Sequence, residues 1–317
     1  MAGTLTMPNK TGVFPAVILI TGSGPQNRDE EILGHKPFLV IADYLTRNGI
    51  AVLRFDDRGT NESKGNFKGA TSMDFSTDVE AELDFLLSRN EIDKNKIGLI
   101  GHSEGGMIAP MVAVRRKEVS FIVLLAGPGI SGKRILLSQE ALIGRVSGER
   151  EDVIRDMSSV NDAAYDLVAG SQNLDTLKKE LTAYYSDRIR TDTTYAGTVG
   201  TGQAQFVAER VKQLATPWMK YFIRYDPAPT LEKVRCPVLA LDGSKDLQVP
   251  PEIDLAAIKT ALDKGGNKEV TTVELPNLNH LFQECKTGSP TEYATIEQTF
   301  SPLALDAMTK WIISKVR

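Results

Sequence analysis

A serine flanked by glycines is the feature of this sequence best suited to covalent chemistry. Gly101-His102-Ser103-Glu104-Gly105 has the G-x-S-x-G spacing of a nucleophile elbow, a sharp strand-to-helix turn that exposes the serine hydroxyl. Glycines are required there because a Cβ would collide with the tightly turned backbone. The pentapeptide alone is weak evidence, but an apolar strand before it and a helical pattern after it favour the same turn. We therefore predict that Ser103 is a nucleophile.

A serine hydroxyl becomes a good nucleophile only when a base takes its proton, and the usual base is histidine. The sequence contains three histidines, His35, His102 and His280. His102 lies within the elbow, so its side chain is directed away from that of Ser103. His35 lies near the start of a helix, where capping or packing is the simpler role. His280 follows the last expected strand in a loop and is predicted to be the base.

The third member of such a triad is an acid at a strand end between the serine and the histidine. Asp242 and Asp246 both follow the expected strand at residues 237–241. We favour Asp246, because the side chain of Asp242 could instead be held by the backbone of the turn; Asp242 stays the alternative. The order Ser103, Asp246, His280 differs from the order in chymotrypsin-like and subtilisin-like proteases.

Backbone N–H groups must stabilise the oxyanion that forms when the serine attacks a carbonyl. One donor is expected from Glu104, which follows the nucleophile, and the other from Ser23 or Gly24 in the loop after the first buried strand. The acidic run at residues 29–31 follows this loop. A solvated charge run is the simpler interpretation, and exclusion of anionic acyl groups from the entrance is the alternative hypothesis.

Alternating strands and helices position these residues. Buried strands are predicted at residues 16–20, 50–55, 97–100, 121–125, 237–241 and 270–275, with an edge strand at 3–7. Amphipathic helices are predicted at 36–47, from Ser72 onward, at 255–262 and from Ser301. This alternation predicts an α/β fold whose mostly parallel sheet is covered by helices on both faces.

A long helical segment interrupts the alternation between two strands. Helices are predicted at 153–170, 174–190 and 203–225, and the glycine-rich residues 196–202 are interpreted as a loop in preference to a hinge. The sequence thus predicts a core of residues 1–129 and 234–317. Residues 130–233 are predicted to be a helical cap, or lid, inserted before the penultimate strand.

Composition limits the classes of partner. The chain has 317 residues, 41% hydrophobic and 25% charged, which is enough for a large core and too apolar for a disordered chain. A net charge of −4 argues against nucleic acid as a partner. No apolar run is long enough to span a bilayer. Two cysteines and three scattered histidines lack metal-ligand spacing, so no metal is expected.

Two properties are left open by the sequence. A strand-like pattern begins at Gly3, as though a preceding segment were missing, so both a cytoplasmic and an exported (periplasmic) location are compatible with it. The oligomeric state is not indicated.

The motifs resemble those of bacterial serine carboxylesterases of the α/β-hydrolase superfamily, near its prolyl-oligopeptidase-like and cinnamoyl-esterase-like members. The resemblance rests on residues 22–29, 56–59, 101–106 and 242–246 and runs from about residue 3 to the end. It implies an α/β-hydrolase fold and hydrolysis of carboxylic esters of small to medium acyl groups through an acyl-serine intermediate, without a cofactor. Thr21 precedes Gly22 where family members often have histidine, which implies a different anchoring of that loop.

Other activities on the same scaffold are not excluded. A serine peptidase or an acyl-CoA thioesterase would use the same three residues. A non-enzymatic binding protein is disfavoured, because proteins of that kind usually lose a member of the triad and this chain keeps all three.

Overall fold

A seven-stranded sheet is the centre of the structure, a computed structural model that describes residues 1–317. The strands are β1 Gly3–Thr6, β2 Phe14–Ile20, β3 Ala51–Phe55, β4 Ile92–His102, β5 Val119–Leu125, β6 Val238–Gly243 and β7 Val270–Leu275. Their order across the sheet is β1-β3-β2-β4-β5-β6-β7. β1 runs antiparallel to β3, and every other neighbouring pair is parallel. The predicted α/β class with a mostly parallel sheet is confirmed.

Helices connect most of these strands. They are α1 Pro37–Arg47, α2 Ser72–Ser88, α3 Glu104–Arg115, α4 Gly132–Val146, α5 Glu151–Gly170, α6 Leu174–Thr191, α7 Thr193–Val199, α8 Gln203–Leu214, α9 Pro217–Arg224, α10 Ala228–Leu231, α11 Pro251–Lys264 and α12 Pro302–Val316. A 3₁₀ helix covers Pro290–Thr295. None of the helices combines the length and the apolar character that crossing a membrane would require.

Apolar layers cover both faces of the sheet. Side chains of β2 alternate between them: Ile18 and Ile20 pack in a cluster with residues of α2, α3 and α11. Val17 and Leu19 pack in a second cluster with residues of α1 and α12. This alternation follows from the two-residue period of a strand, and it explains why the central strands read as continuous apolar runs.

The chain divides into two compact units. One consists of residues 1–67, 72–130 and 226–317, and the other of residues 68–71 and 131–225. The second unit contains α4 to α9, which lie between β5 and β6 in the sequence, and it has an apolar cluster of its own around Tyr165, Leu181 and Tyr185. The sequence predicts residues 226–233 as the end of the helical cap, but they belong to the unit of the sheet. Leu231 of α10 is buried in an apolar cluster of the sheet, which explains the difference. That the helical unit acts as a lid stays a prediction.

Two details of the helical unit differ from the sequence analysis. Residues 203–225 form two helices, α8 and α9, because Pro217 lacks an N–H and starts a new helix behind its N-cap Thr216. The expected loop at 196–202 is helical up to Val199, where α7 ends with Gly200 as its C-cap, whose φ of 73° suits glycine.

Candidate active site

Ser103 lies at the turn between β4 and α3, at the carboxyl end of a central strand. Its φ is 52°, which is unusual for a residue other than glycine and stores strain in the turn. Its N–H donates to the carbonyl of Leu125 at the end of β5, 2.9 Å away, which attaches the turn to the sheet. The side chain is partly exposed. The turn therefore presents a hydroxyl at the N-terminus of α3, where the helix dipole favours negative charge.

Glycines around Ser103 allow this turn for steric reasons. A Cβ on Gly101 would lie 2.0 Å from the carbonyl oxygen of Gly105, and a Cβ on Gly105 would lie 2.1 Å from that of Ile20. Gly106 also lies close to Gly127, since a Cβ on Gly106 would lie 2.7 Å from the Cα of Gly127. The strand, the turn and the helix can pack at these distances only without side chains.

Asp246 and His280 meet in two loops at the carboxyl ends of β6 and β7. His280 Nδ1 lies 2.6 Å from Asp246 Oδ2, and both side chains are buried. Asp246 Oδ1 accepts the N–H groups of Gln248 and Val249 at 2.7 and 2.9 Å. Because the carboxylate accepts a hydrogen from Nδ1, the neutral imidazole keeps Nε2 as the nitrogen able to accept a proton.

His280 also lies beside the elbow. The ring centroids of His280 and His102 are 4.9 Å apart, and His102 Nε2 lies 2.9 Å from the backbone oxygen of His280. No hydrogen bond joins His280 Nε2 to Ser103 Oγ in this structure. Catalytic hydrogen bonds of this kind are often long in free enzymes and tighten only when substrate binds.

Asp242, the alternative acid, has other partners. Its Oδ1 accepts the N–H of Gly243 at 2.8 Å, as the sequence analysis allowed, so the turn's own backbone holds it. Burial, followed by the charge of Asp246 and a hydrogen bond with it, raises the pKa of Asp242 well above its ordinary value. The carboxylate in contact with His280 is that of Asp246.

The loop after β2 carries the expected oxyanion donors and is anchored by Asp57. The Thr21 hydroxyl and the Gln26 N–H donate to the two oxygens of the Asp57 carboxyl, each at 2.8 Å. The N–H groups of Ser23 and Gly24, between these anchors, make no hydrogen bond within the chain. Thr21 thus anchors this loop through its hydroxyl group. The roles of Ser23, Gly24 and Glu104 as oxyanion donors stay predictions.

Burial strongly raises the pKa of the Asp57 carboxyl group, to about 7. The hydrogen bonds from Gln26 and Thr21 oppose the rise, and the charges of Glu104 and Glu30 add to it. Beside it, Arg28 binds Asp56 through Nε and Nη2 at 3.0 and 2.7 Å.

The contacts of Asp56 and Asp57 with Thr21, Gln26 and Arg28 join two motifs that are separate in the sequence. Burial would raise the pKa of Asp56, but the hydrogen bonds from Arg28 and its neighbours outweigh it and lower that pKa to about 2. Asp56 and Asp57 therefore support the loop at residues 22–29.

The simple interpretation of residues 29–31 as a solvated charge run is wrong for Glu30. Glu30 is 3% exposed; its Oε1 accepts the N–H of Gly22 at 2.6 Å and lies 3.0 Å from His102 Nδ1. Asp29 forms an ion pair with Arg54, and only Glu31 is exposed. Glu30 has a φ of 51°, and the loop that turns it inward gives no periodic signal in the sequence.

No group of three or more His, Cys, Asp or Glu side chains is arranged to hold a metal ion. His35 is buried, with Nδ1 3.0 Å from the hydroxyl of Thr299 and Nε2 3.1 Å from the backbone oxygen of Tyr293. Its contacts are those of a packed structural histidine.

Comparison with known sequences gives two matches. A family model described as serine aminopeptidase, S33, matches residues 36–284, a range that includes Ser103, Asp246 and His280. Esterase EstD from Thermotoga maritima is 26% identical over 317 residues, which are 99% of this chain and 65% of that protein. The chain therefore spans 65% of the length of the curated relative that it matches.

Solved structures of similar fold are also found. Est1E from Butyrivibrio proteoclasticus, with ferulic acid bound, has a TM-score of 0.55 at 17% identity and covers 99% of this chain and 95% of its own. Monoacylglycerol lipase from Paleococcus ferrophilus has a TM-score of 0.51 at 16% identity, with 99% and 100% covered. The α/β hydrolase GrgF from Penicillium has a TM-score of 0.51 at 15% identity, with 88% and 91% covered. The predicted α/β-hydrolase fold is confirmed.

Proposed function

We propose that this protein, which belongs to the serine aminopeptidase (S33) family of hydrolases, cleaves carboxylic esters of small to medium acyl groups through an acyl-serine intermediate. The observation that carries the proposal is the Asp246–His280 hydrogen bond of 2.6 Å beside the strained turn of Ser103. The resemblance to Esterase EstD supports an ester as the substrate. The substrate is a small molecule, and the proposed chemistry uses no cofactor.

The reaction follows from the positions of three side chains. His280 Nε2 takes the hydroxyl proton of Ser103 while Oγ forms a bond to the ester's carbonyl carbon. The carbonyl oxygen becomes an oxyanion, which the N–H of Glu104 and that of Ser23 or Gly24 stabilise. When the tetrahedral intermediate collapses, the bond to the alcohol oxygen breaks and His280 gives the alcohol its proton.

Deacylation repeats the same steps with water. His280 removes a proton from water, the hydroxide oxygen adds to the acyl carbon, and the bond to Ser103 Oγ breaks as His280 returns the proton to the serine. The products are the free acid and the alcohol. Throughout, Asp246 holds the Nδ1–H tautomer and stabilises the imidazolium that forms twice in each cycle.

A serine peptidase is the second candidate, because the matching family model is described as a serine aminopeptidase. The same triad would serve an acyl-CoA thioesterase. An amide is much harder to cleave than an activated ester, so a peptidase must also bind the peptide's backbone and protonate a poor leaving amine. The triad does not distinguish the two activities, but the values of kcat/KM for ester and amide substrates do.

The test compares three leaving groups, a phenol, an aniline and a thiol. The purified protein is assayed with p-nitrophenyl acetate, butyrate and octanoate, with aminoacyl p-nitroanilides and with the corresponding acyl-CoA thioesters. We expect the highest kcat/KM for the acetate or butyrate ester, and we expect Ser103→Ala to abolish both turnover and labelling by a fluorophosphonate. A higher kcat/KM for the anilides would instead establish a peptidase, and turnover that survives in Ser103→Ala would refute the acyl-serine mechanism.

A further inference from the structure

His102 and Glu30 form a buried pair that the proposed reaction does not use. His102 Nδ1 lies 3.0 Å from Glu30 Oε1, and His102 Nε2 lies 2.9 Å from the backbone oxygen of His280. The same Glu30 oxygen accepts the N–H of Gly22 at 2.6 Å. The side chains of His102 and Glu30 are only 8% and 5% exposed. The pair therefore connects the expected oxyanion loop, the elbow and the loop of His280.

These contacts fix where protons must be. A backbone carbonyl can only accept a hydrogen bond, so Nε2 of His102 must carry a hydrogen. Nδ1 faces a carboxyl oxygen, and a lone pair there would repel an ionised carboxylate. A second hydrogen therefore lies between Nδ1 and Glu30 Oε1, on either the imidazole or the carboxyl group. The pair holds one proton more than a neutral imidazole and a carboxylate would.

We propose that His102 and Glu30 are positioning residues, which share this proton and thereby hold the backbones of His280 and Gly22 in place beside Ser103. The inference rests on the proposed function, since it concerns the same site. Glu30 fixes the direction of the Gly22 N–H, which immediately precedes the expected donors Ser23 and Gly24. His102 fixes the carbonyl of the residue that carries the base. A displacement of about 1 Å in such a site can cost on the order of 100-fold in rate.

The charges around the pair favour retention of the proton. Burial acts to lower the pKa of His102, but the charge and hydrogen bond of Glu30 and the backbone oxygen of His280 outweigh it, with a further contribution from Asp246, and the pKa is raised. The charge of Glu30 also contributes to the raised pKa of Asp57. His280 is the other titratable ring beside His102.

Glu30→Gln is the informative variant, because Oε1 makes both contacts of the carboxyl group and Oε2 has no partner. If the glutamine oxygen occupies the Oε1 position, His102 must donate from both nitrogens as a buried cation without a counter-charge. If the amide nitrogen occupies it, two N–H donors face each other at Gly22. No orientation of glutamine keeps all three bonds with a neutral imidazole.

The first experiment does not depend on activity. The sequence has only three histidines, so ¹⁵N-histidine labelling with His35→Gln and His102→Gln as assignment variants resolves each ring by NMR. We expect Nε2 of His102 to carry a hydrogen and the ring not to titrate from pH 5 to 9 in the wild type, and we expect the ring to titrate within this range in Glu30→Gln. An unprotonated Nε2 at pH 7, or a spectrum unchanged by Glu30→Gln, would overturn the proposal.

The second experiment measures positioning. With p-nitrophenyl butyrate, Glu30→Gln should lower kcat by on the order of 100-fold and change KM little, since the substrate-binding surface is intact. Glu31→Gln, at the exposed neighbouring position, is the matched control and should keep wild-type kcat. A wild-type kcat in Glu30→Gln would contradict the positioning role. If the wild type itself hydrolyses no ester, the proposed function fails, and the histidine spectrum still decides whether the pair exists.

Discussion

Two backbone N–H groups fix the orientation of the Asp246 carboxylate, so that its Oδ2 faces His280. Its Oδ1 accepts the N–H groups of Gln248 and Val249, and its Oδ2 lies 2.6 Å from His280 Nδ1. The carboxyl group cannot rotate without losing the two backbone bonds. Because both donors are backbone N–H groups, which are costly to leave unpaired, this orientation does not depend on the side chains of Gln248 and Val249.

Asp246→Asn should abolish most of the activity while it preserves the fold. The asparagine oxygen must remain facing Gln248 and Val249, which turns its NH₂ group toward His280 Nδ1. His280 must then accept at Nδ1 and carry its hydrogen on Nε2, the wrong tautomer for taking a proton from Ser103. We expect kcat for p-nitrophenyl butyrate to fall by about 10³- to 10⁴-fold. A variant that retains a tenth of the wild-type kcat would show that Asp246 does not set the tautomer.

Ser103 should limit stability as well as enable catalysis. Its φ of 52° and ψ of −115° suit glycine, and a non-glycine residue held in such a region costs about 1–3 kcal/mol. Ser103→Ala and Ser103→Gly should both lose ester hydrolysis by several orders of magnitude. Ser103→Gly should also unfold at a higher urea concentration than Ser103→Ala, since only glycine relieves the strain. Equal midpoints for the two variants would show that the turn is not strained.

The strands of the sheet and the candidate residues of the proposed triad can be predicted from the sequence, because each is marked by a local pattern. Apolar runs of strand length and a glycine-spaced turn can be recognised without knowledge of distant contacts. Glu30 could not be placed this way, since its burial depends on contact with His102, 72 positions away. The apolar periodicity continues across Pro217 and predicts one helix, whereas the proline separates α8 from α9.

The end of the helical segment is likewise set by contacts between residues that are distant in the sequence. Leu231 belongs to the sheet's cluster, although the helical pattern before it gives no sign of a change of unit. The glycine-rich residues 196–202 likewise predict a loop, whereas residues 193–199 form α7, in which Tyr195 is 4% exposed. Burial of that ring stabilises a helix of weak intrinsic propensity.

Gly105→Ala should destabilise the fold through the backbone of β2. The added Cβ would lie 2.1 Å from the carbonyl oxygen of Ile20, and a backbone atom of a central strand cannot move away cheaply. We expect a loss of about 3 kcal/mol in the free energy of unfolding, measured by urea denaturation. Gly170→Ala is the control, because no atom lies within 4 Å of its Cβ position and the site is the last residue of α5. A similar loss in both variants would refute the steric explanation.

Asp57 should make stability depend on pH. Burial raises its pKa to about 7 from an ordinary value of 3.8, so the folded chain binds this proton more tightly than the unfolded chain does. The resulting stabilisation is fully present below pH 3.8 and is lost as the pH rises through about 7. In Asp57→Asn the amide can donate to Thr21 Oγ1 and accept the N–H of Gln26, so both anchors persist without a titrating group.

The difference in free energy of unfolding between Asp57→Asn and the wild type isolates this group from all others that titrate. Measured by urea denaturation at pH 5, 6, 7 and 8, the difference should shift in favour of Asp57→Asn as the pH rises, by on the order of 3 kcal/mol across the range. The shift arises because the wild type must either ionise a buried carboxyl group or keep its proton at increasing cost. A difference that stays constant from pH 5 to 8 would show that Asp57 is ionised in the folded protein throughout.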